Sequence, residues 1–323
     1  MEQGAILIFL AFPVGSEIGI DLHSWNTGDQ FRGVKMIPPG MHYIYYSALN
    51  KEKERAPRTG FFHMFHNKDI VVRKWDPVDE ELVIVQNEDH LDLDLERLDA
   101  FLGPYPYDNW KKWVALSSRL TVDVVTKIEP RQKQMSSAAN LIASQVQPPS
   151  SVGVKKRRLR AERENSLLPL LKGRPGTGLN LTPIPDSPFP SLDTSYILEQ
   201  LLSCCKTSDQ LLGELQMAFL CFLVGEVYSA FEYWKKLVNV ICSADRYLVR
   251  DSEFILDFIE DLYFQMREVP ADCFADIVSQ NSFLTQLNSA QYFDNVSSCD
   301  KTDVKLKKKN VTEKFSSLSY ALL

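Results

Sequence analysis

The chain has 323 residues, 45% of them hydrophobic and 24% charged, with a formal net charge of −6 and a pI near 5.5. Such a balance belongs to a globular chain with room for two domains. It excludes a basic field over the whole protein of the kind that grips nucleic acid, so direct RNA binding is expected to be weak or absent.

The start, MEQGAILIFLAFPVG, has the outline of a signal peptide. It carries Glu2, has no Lys or Arg ahead of its apolar run, and that run stops at Pro13. A first buried strand is the better reading. AILIFLAF, GVKM, HYIYYS, GFFHMF, DIVVRKW and ELVIV follow within residues 5–85, each short and rich in β-branched or aromatic residues. Gly, Pro and Asn signals separate them, which predicts an antiparallel sheet folded as a small sandwich.

From Asp89 the period changes. Leu91, Leu95, Leu98 and Leu102 fall at helical spacing, and Gly103-Pro104 ends that helix. Asp108 can cap a second helix, with Trp110, Trp113 and Leu120 near one face. Together these helices are expected to close an N-terminal domain over 1–128.

Residues 129–190 differ in kind. Pro130, Pro148, Pro149, Pro169, Pro175, Pro183, Pro185, Pro188 and Pro190 lie here, and Phe189 is the one aromatic. Such composition buries too little apolar surface to offset chain entropy, which predicts a disordered linker. Within it, Lys155, Lys156, Arg157, Arg158 and Arg160 concentrate positive charge suited to the acidic groove of an import receptor or to RNA phosphate. A merely solvated basic linker is the other reading of the same run. Ser187-Pro188 and Thr182-Pro183 are candidate phosphorylation sites, since a kinase reaches an unpacked segment and phosphate adds close to two negative charges. GRPGTG, from Gly173 to Gly178, lacks the Lys-Ser/Thr of a phosphate loop and follows no predicted strand.

Residues 191–298 read as an all-α domain of antiparallel helix pairs, superhelix-like, followed by a Lys-rich tail over 299–323. Its centre is ELQMAFLCFLVGEVYSAFEYWKKL, uncharged from Leu215 to Gly225. Eleven helical residues rise about 16 Å, short of a hydrocarbon layer about 30 Å thick, so this is a buried helix and not a membrane span. Phe219 and Phe222 lie on its apolar stripes, and Trp234 continues a one-sided pattern after Gly225. Leu223-x-Gly225-x-x-Tyr228 has part of a tetratricopeptide spacing, in which the Tyr fills a neighbouring groove. Phe219, Phe222, Tyr228 and Trp234 are therefore the expected structural core.

No catalytic, metal or cofactor residue is expected. His63 and His66 are three apart in a strand and face opposite sides. Asp92 and Asp94 diverge on a helix, and so do Cys204 and Cys205. The six cysteines form no C-x-x-C pair, and none lies in the first two hundred residues, a usage that fits a reducing compartment.

GIDLHSWNTGDQFRGVKMIPPGMHYIYYS (Gly19 to Ser47), GFFHMF, FLGPYPY (Phe101 to Tyr107), LGELQMAFLCFLVGEVYSAFEYWKKL and DIVSQNSFL together resemble the Aar-two family of splicing factors. The resemblance covers both predicted folded regions in order and fades in the linker and tail. It implies a non-enzymatic, two-domain α+β protein without cofactor. It also implies an assembly chaperone that binds the large scaffold protein of the U5 snRNP through its RNase H-like and Jab/MPN-like domains. That binding holds the remodelling helicase off during U5 and tri-snRNP biogenesis, and phosphorylation favours release. A chaperone of that kind shuttles between cytoplasm and nucleus. The other readings are a helical-repeat-type adaptor of a different complex, which would not co-purify with U5, and a nucleotide-binding hydrolase, whose melting temperature nucleotide would shift.

Overall fold

In the computed structural model the described residues are 4–49, 55–85, 94–138, 141–143, 171–173, 177–185 and 193–270. Ten short strands build two five-stranded sheets. Their bounds are β1 Ala5–Leu10, β2 Glu17–Ile20, β3 His23–Asn26, β4 Gly33–Ile37, β5 Gly40–Ser47, β6 Thr59–Phe65, β7 Ile70–Asp76, β8 Glu81–Ile84, β9 Leu102–Pro104 and β10 Met135–Ser136. The first sheet runs β8-β7-β1-β4-β9 and the second β10-β6-β5-β2-β3. A separate two-stranded pair joins β11 (Leu141–Ala143) to β12 (Leu171–Gly173).

The unbroken apolar run of β1 follows from its place at the centre of the first sheet. Ala5, Leu7 and Phe9 face the sandwich interior with Ile18, Phe61 and Trp75. Ile6 and Ile8 face the other way, onto Leu95 and Leu98 of a one-turn helix, α1 (Leu95–Leu98). A strand covered on both faces shows no alternation. The first sheet departs from the antiparallel expectation, because β1 pairs β7 in parallel and β4 pairs β9 in parallel. Parallel neighbours need a crossover, and here the chain passes through the second sheet between β1 and β7.

The second sheet works on two fronts. Ile44 and Tyr46 of β5 point into the sandwich, while Tyr43 and Tyr45 point into a larger core made with the helices. Those helices are α2 (Trp110–Ser117), α3 (Val122–Ile128), α4 (Ser195–Ser203), α5 (Ser208–Leu223), α6 (Tyr228–Cys242), α7 (Asp245–Arg250) and α8 (Ser252–Met266). The layout is α+β, with sheets in the N-terminal region and most helices between 195 and 266.

Four expectations change. The stretch from Leu95 to Leu102 is one helical turn, a 3-10 turn and then β9, not a continuous helix. Asp108 caps nothing, since a 3-10 turn spans Tyr107–Asn109 and the helix starts after Asn109. Helices α2 and α3 do not simply close the sheets. Trp113, Val124 and Ile128 share one core with α5, and the Trp113 indole donates to the Met41 carbonyl at 2.8 Å. Lastly, part of the predicted linker is packed. Leu179, Leu181 and Ile184 lie against the helical core, and Asn180 donates its backbone N–H to Ile128 O at 2.8 Å.

Candidate protein-interaction site

Helix α5 starts after Thr207 and is buried on nearly every side from Leu211 to Cys221. Phe219 and Trp234 are both fully buried, with ring centroids 5.5 Å apart. Phe222 is half-buried and stacks on Phe231 at 4.2 Å, 22° from parallel. Tyr228 is not core, because 63% of it is exposed. The turn between α5 and α6 explains this. Glu226 takes a left-handed φ of 57°, and a Cβ on Gly225 would come within 2.7 Å of the Tyr43 hydroxyl. The chain therefore re-enters a helix with Tyr228 on the outside and Phe231 buried. The result is an aromatic ladder centred on Phe231, which meets buried Trp234, half-buried Phe222 and exposed Tyr228. Lys235 Nζ sits 4.7 Å above the Phe231 ring and pairs with Glu232 at 2.7 Å.

A second aromatic surface lies at the start of α2. Tyr107 is 49% exposed and Trp110 is 36% exposed, with ring centroids 6.5 Å apart. The Tyr107 hydroxyl donates to Met36 O at 2.8 Å, and Met36 is itself exposed. Exposed aromatic patches of this kind are what protein interfaces select.

Thr182, expected to be accessible, is buried. Its hydroxyl donates to Glu214 Oε1 at 2.7 Å and its backbone N–H reaches Glu214 Oε2 at 3.3 Å. Glu214 lies at the start of the apolar run and is completely buried. It is balanced by Lys127 Nζ at 2.6 Å and by the Tyr233 hydroxyl at 3.0 Å. Burial works against the Lys127 charge, but the Glu214 carboxylate outweighs it and holds the ammonium above its ordinary pKa. Burial and the same carboxylate push the Tyr233 hydroxyl up. Ser187 and the basic residues Lys155, Lys156, Arg157, Arg158 and Arg160 lie outside the described residues.

Arg119, between α2 and α3, joins the two regions and gave no signal in the sequence. Its Nε donates to Asp261 of α8 at 2.8 Å, Nη2 lies 3.3 Å from Asp257, and Nη1 also bonds Asp209 of α5. Its backbone N–H donates to Gln216 at 2.8 Å, where a Cβ on Gly213 would come within 2.8 Å of Arg119 O. Burial pushes the Asp261 carboxyl up to about 7, against the pull of Arg119. Arg58 makes the matching link at the other end, donating to Val224 O at 2.8 Å and pairing with Glu17 at 3.0 Å.

The chemistry of the remaining polar clusters is structural. Asp21 Oδ2 meets His42 Nδ1 at 2.6 Å and accepts from the Tyr105 hydroxyl at 2.6 Å. His42 Nε2 lies 2.9 Å from Pro38 O, so that nitrogen is the donor. Asp21 and His42 are each 1% exposed, which leaves no room for a substrate. His63 lies in β6 and His66 beyond its end. Among the described residues no group of three or more His, Cys, Asp or Glu could hold a metal ion, and no helix is long and apolar enough to cross a membrane.

Comparison with known proteins gives a consistent result along the chain. The model of the AAR2 N-terminal domain matches residues 3–130, and that of the AAR2 C-terminal repeat region matches residues 190–322. The chain is 37% identical to the Protein AAR2 homolog of Homo sapiens, over 97% of this chain and 87% of that one. It is 36% identical to the homolog of Caenorhabditis elegans, over 88% of this chain and 84% of that one. It is 24% identical to the A1 cistron-splicing factor AAR2 of Saccharomyces cerevisiae, over 84% and 78%. The chain belongs to the AAR2 family.

Proposed function

We propose that this chain is a non-enzymatic pre-mRNA splicing factor that chaperones assembly of the U5 snRNP. In this reading it binds the large U5 scaffold protein through the RNase H-like and Jab/MPN-like domains and holds the helicase off until nuclear maturation. It works in both cytoplasm and nucleus. The observation that carries the reading is the match of both AAR2 models, in order, to the sheet region and the helical region. The yeast relative's name as a splicing factor supports the process.

The exposed surface suits binding. The Asp21–His42 pair is sealed inside the fold. Exposed aromatics at Tyr228 and at Tyr107 with Trp110 suit a protein partner. Tagged chain should be recovered from nuclear and cytoplasmic extract and its bound material identified. Co-purification of the U5 scaffold protein is the expected outcome. Recovery without the scaffold protein from either extract would contradict the proposal.

A further inference from the structure

Six acidic or basic residues other than histidine are buried among the described ones: Glu17, Asp21, Arg73, Glu214, Lys235 and Asp261. Five of them are paired. Glu17 meets Arg55 and Arg58, Asp21 meets His42, Glu214 meets Lys127, Lys235 meets Glu232 and Asp261 meets Arg119. Arg73 is the exception. It is 8% exposed, its guanidinium lies 4.8 Å over the Phe61 ring, and its side chain makes no hydrogen bond or ion pair among the described residues. The ring face offers the cation only a quadrupole. A guanidinium largely removed from water and without a counter-charge is costly, and its planar fork is shaped for a carboxylate.

Arg73 faces a groove of about 660 Å³ between the open edge of the sandwich and α3. Phe62, Met64 and Ile84 line the sheet side, and Val122 and Val125 line the helix side. Ile84 is 66% exposed and Val122 is 51% exposed, so apolar surface is open to an incoming chain. Lys133 and Glu129 stand at the rim. His63, the remaining titratable group, is neutral at pH 7, because burial and then Arg73 push it down to about 4.

A structural role as an inward-pointing charge that guards a sheet edge fits Arg73 poorly. The edge strand is β8, not β7. Its backbone is already capped at Leu82, whose N–H donates to the Tyr46 hydroxyl at 3.1 Å and whose carbonyl accepts from Gln134 Nε2 at 3.1 Å. The same caps block strand addition at that point, which leaves recognition to side chains.

We propose that this groove binds a short apolar peptide segment of a partner protein carrying a single carboxylate, with Arg73 as the anion-binding group. Charge complementarity selects the occupant. One unpaired guanidinium amid apolar walls matches one Glu or Asp flanked by leucine-like residues. A polyphosphate or nucleic acid strand would call for more cations than the groove holds.

The full chain should be titrated with fluorescein-labelled Ser-Leu-Glu-Leu-Ser amide and with the same peptide carrying Gln in place of Glu, read by polarisation. The Glu peptide is expected to bind at least tenfold tighter. Arg73→Met, which keeps an apolar stem over Phe61, should abolish that difference. It should also raise the denaturation midpoint, since a buried unpaired charge is removed. Equal affinity for the two peptides, no binding of either, discrimination that survives in Arg73→Met, or a lower midpoint for that variant would each overturn the assignment.

Discussion

Thr182 Oγ1 and Lys127 Nζ converge on one oxygen of the buried Glu214, at 2.7 and 2.6 Å. Three distant parts of the chain meet at that carboxylate: α3, the segment 177–185 and α5. Removing the cation leaves a buried carboxylate held only by the neutral donors of Thr182 and Tyr233, and losing the counter-charge of a fully buried pair costs about 3–5 kcal/mol. Lys127 is 31% exposed, so the lower end of that range is expected for Lys127→Met. The double variant Lys127→Met with Glu214→Leu should recover much of the loss. Chemical denaturation measures both, and a loss below about 1 kcal/mol in the single variant would show that the pair does not hold the segment down.

The same contact bears on regulation. A phosphate on Thr182 would place close to two negative charges against Glu214. The folded chain should therefore resist a proline-directed kinase at Thr182 until the segment undocks. Mass spectrometry after kinase treatment of native and urea-unfolded protein checks this. Equal phosphorylation of Thr182 in both states would be inconsistent with the docked geometry.

The aromatic ladder predicts a graded series. Phe219→Ala removes a fully buried ring and should cost about 3–5 kcal/mol. Phe222→Ala removes a half-buried ring stacked on Phe231 and should cost about 2–3 kcal/mol. Tyr228→Ser lies on the outside and should change stability by less than about 0.5 kcal/mol. Denaturation midpoints give the order directly, and a Tyr228 variant as unstable as the Phe219 variant would put that side chain back in the core.

The two-domain α+β layout was legible because β1, β5 and α5 carry long apolar signals. What escaped was set by tertiary contact. VDVVTKI (Val122–Ile128) is rich in β-branched residues, yet forms α3, capped by the Thr121 hydroxyl at 3.3 Å and packed on α5 through Val124 and Ile128. Packing overrides a weak intrinsic preference there. EIGI and HSWN, which form β2 and β3, are short and polar-interrupted, so no period stood out. In LNLTPIP (Leu179–Pro185), three apolar residues dock, but a composition averaged over a proline-rich stretch hides them. Arg119 and Arg73 are single charged residues whose partners, or lack of them, depend on chain segments far away in sequence.

His63 gives the fold a signed pH dependence. Its folded pKa of about 4 lies below the 6.5 of the unfolded chain, so the unfolded state takes up a proton first. The stabilising contribution is complete above pH 6.5 and falls away as pH drops toward 4. The ring is partly solvated, so the loss should be on the order of 1–2 kcal/mol. The wild type should lose stability relative to His63→Gln by that amount between pH 7 and 4, read from denaturation midpoints. Parallel curves would contradict the assignment to His63.

The most direct test of the central claim is a calorimetric titration of the purified chain against the recombinant RNase H-like and Jab/MPN-like domains of the U5 scaffold protein. The account predicts saturable binding that added helicase competes away. Absence of binding to both domains, with the chain folded, would contradict it.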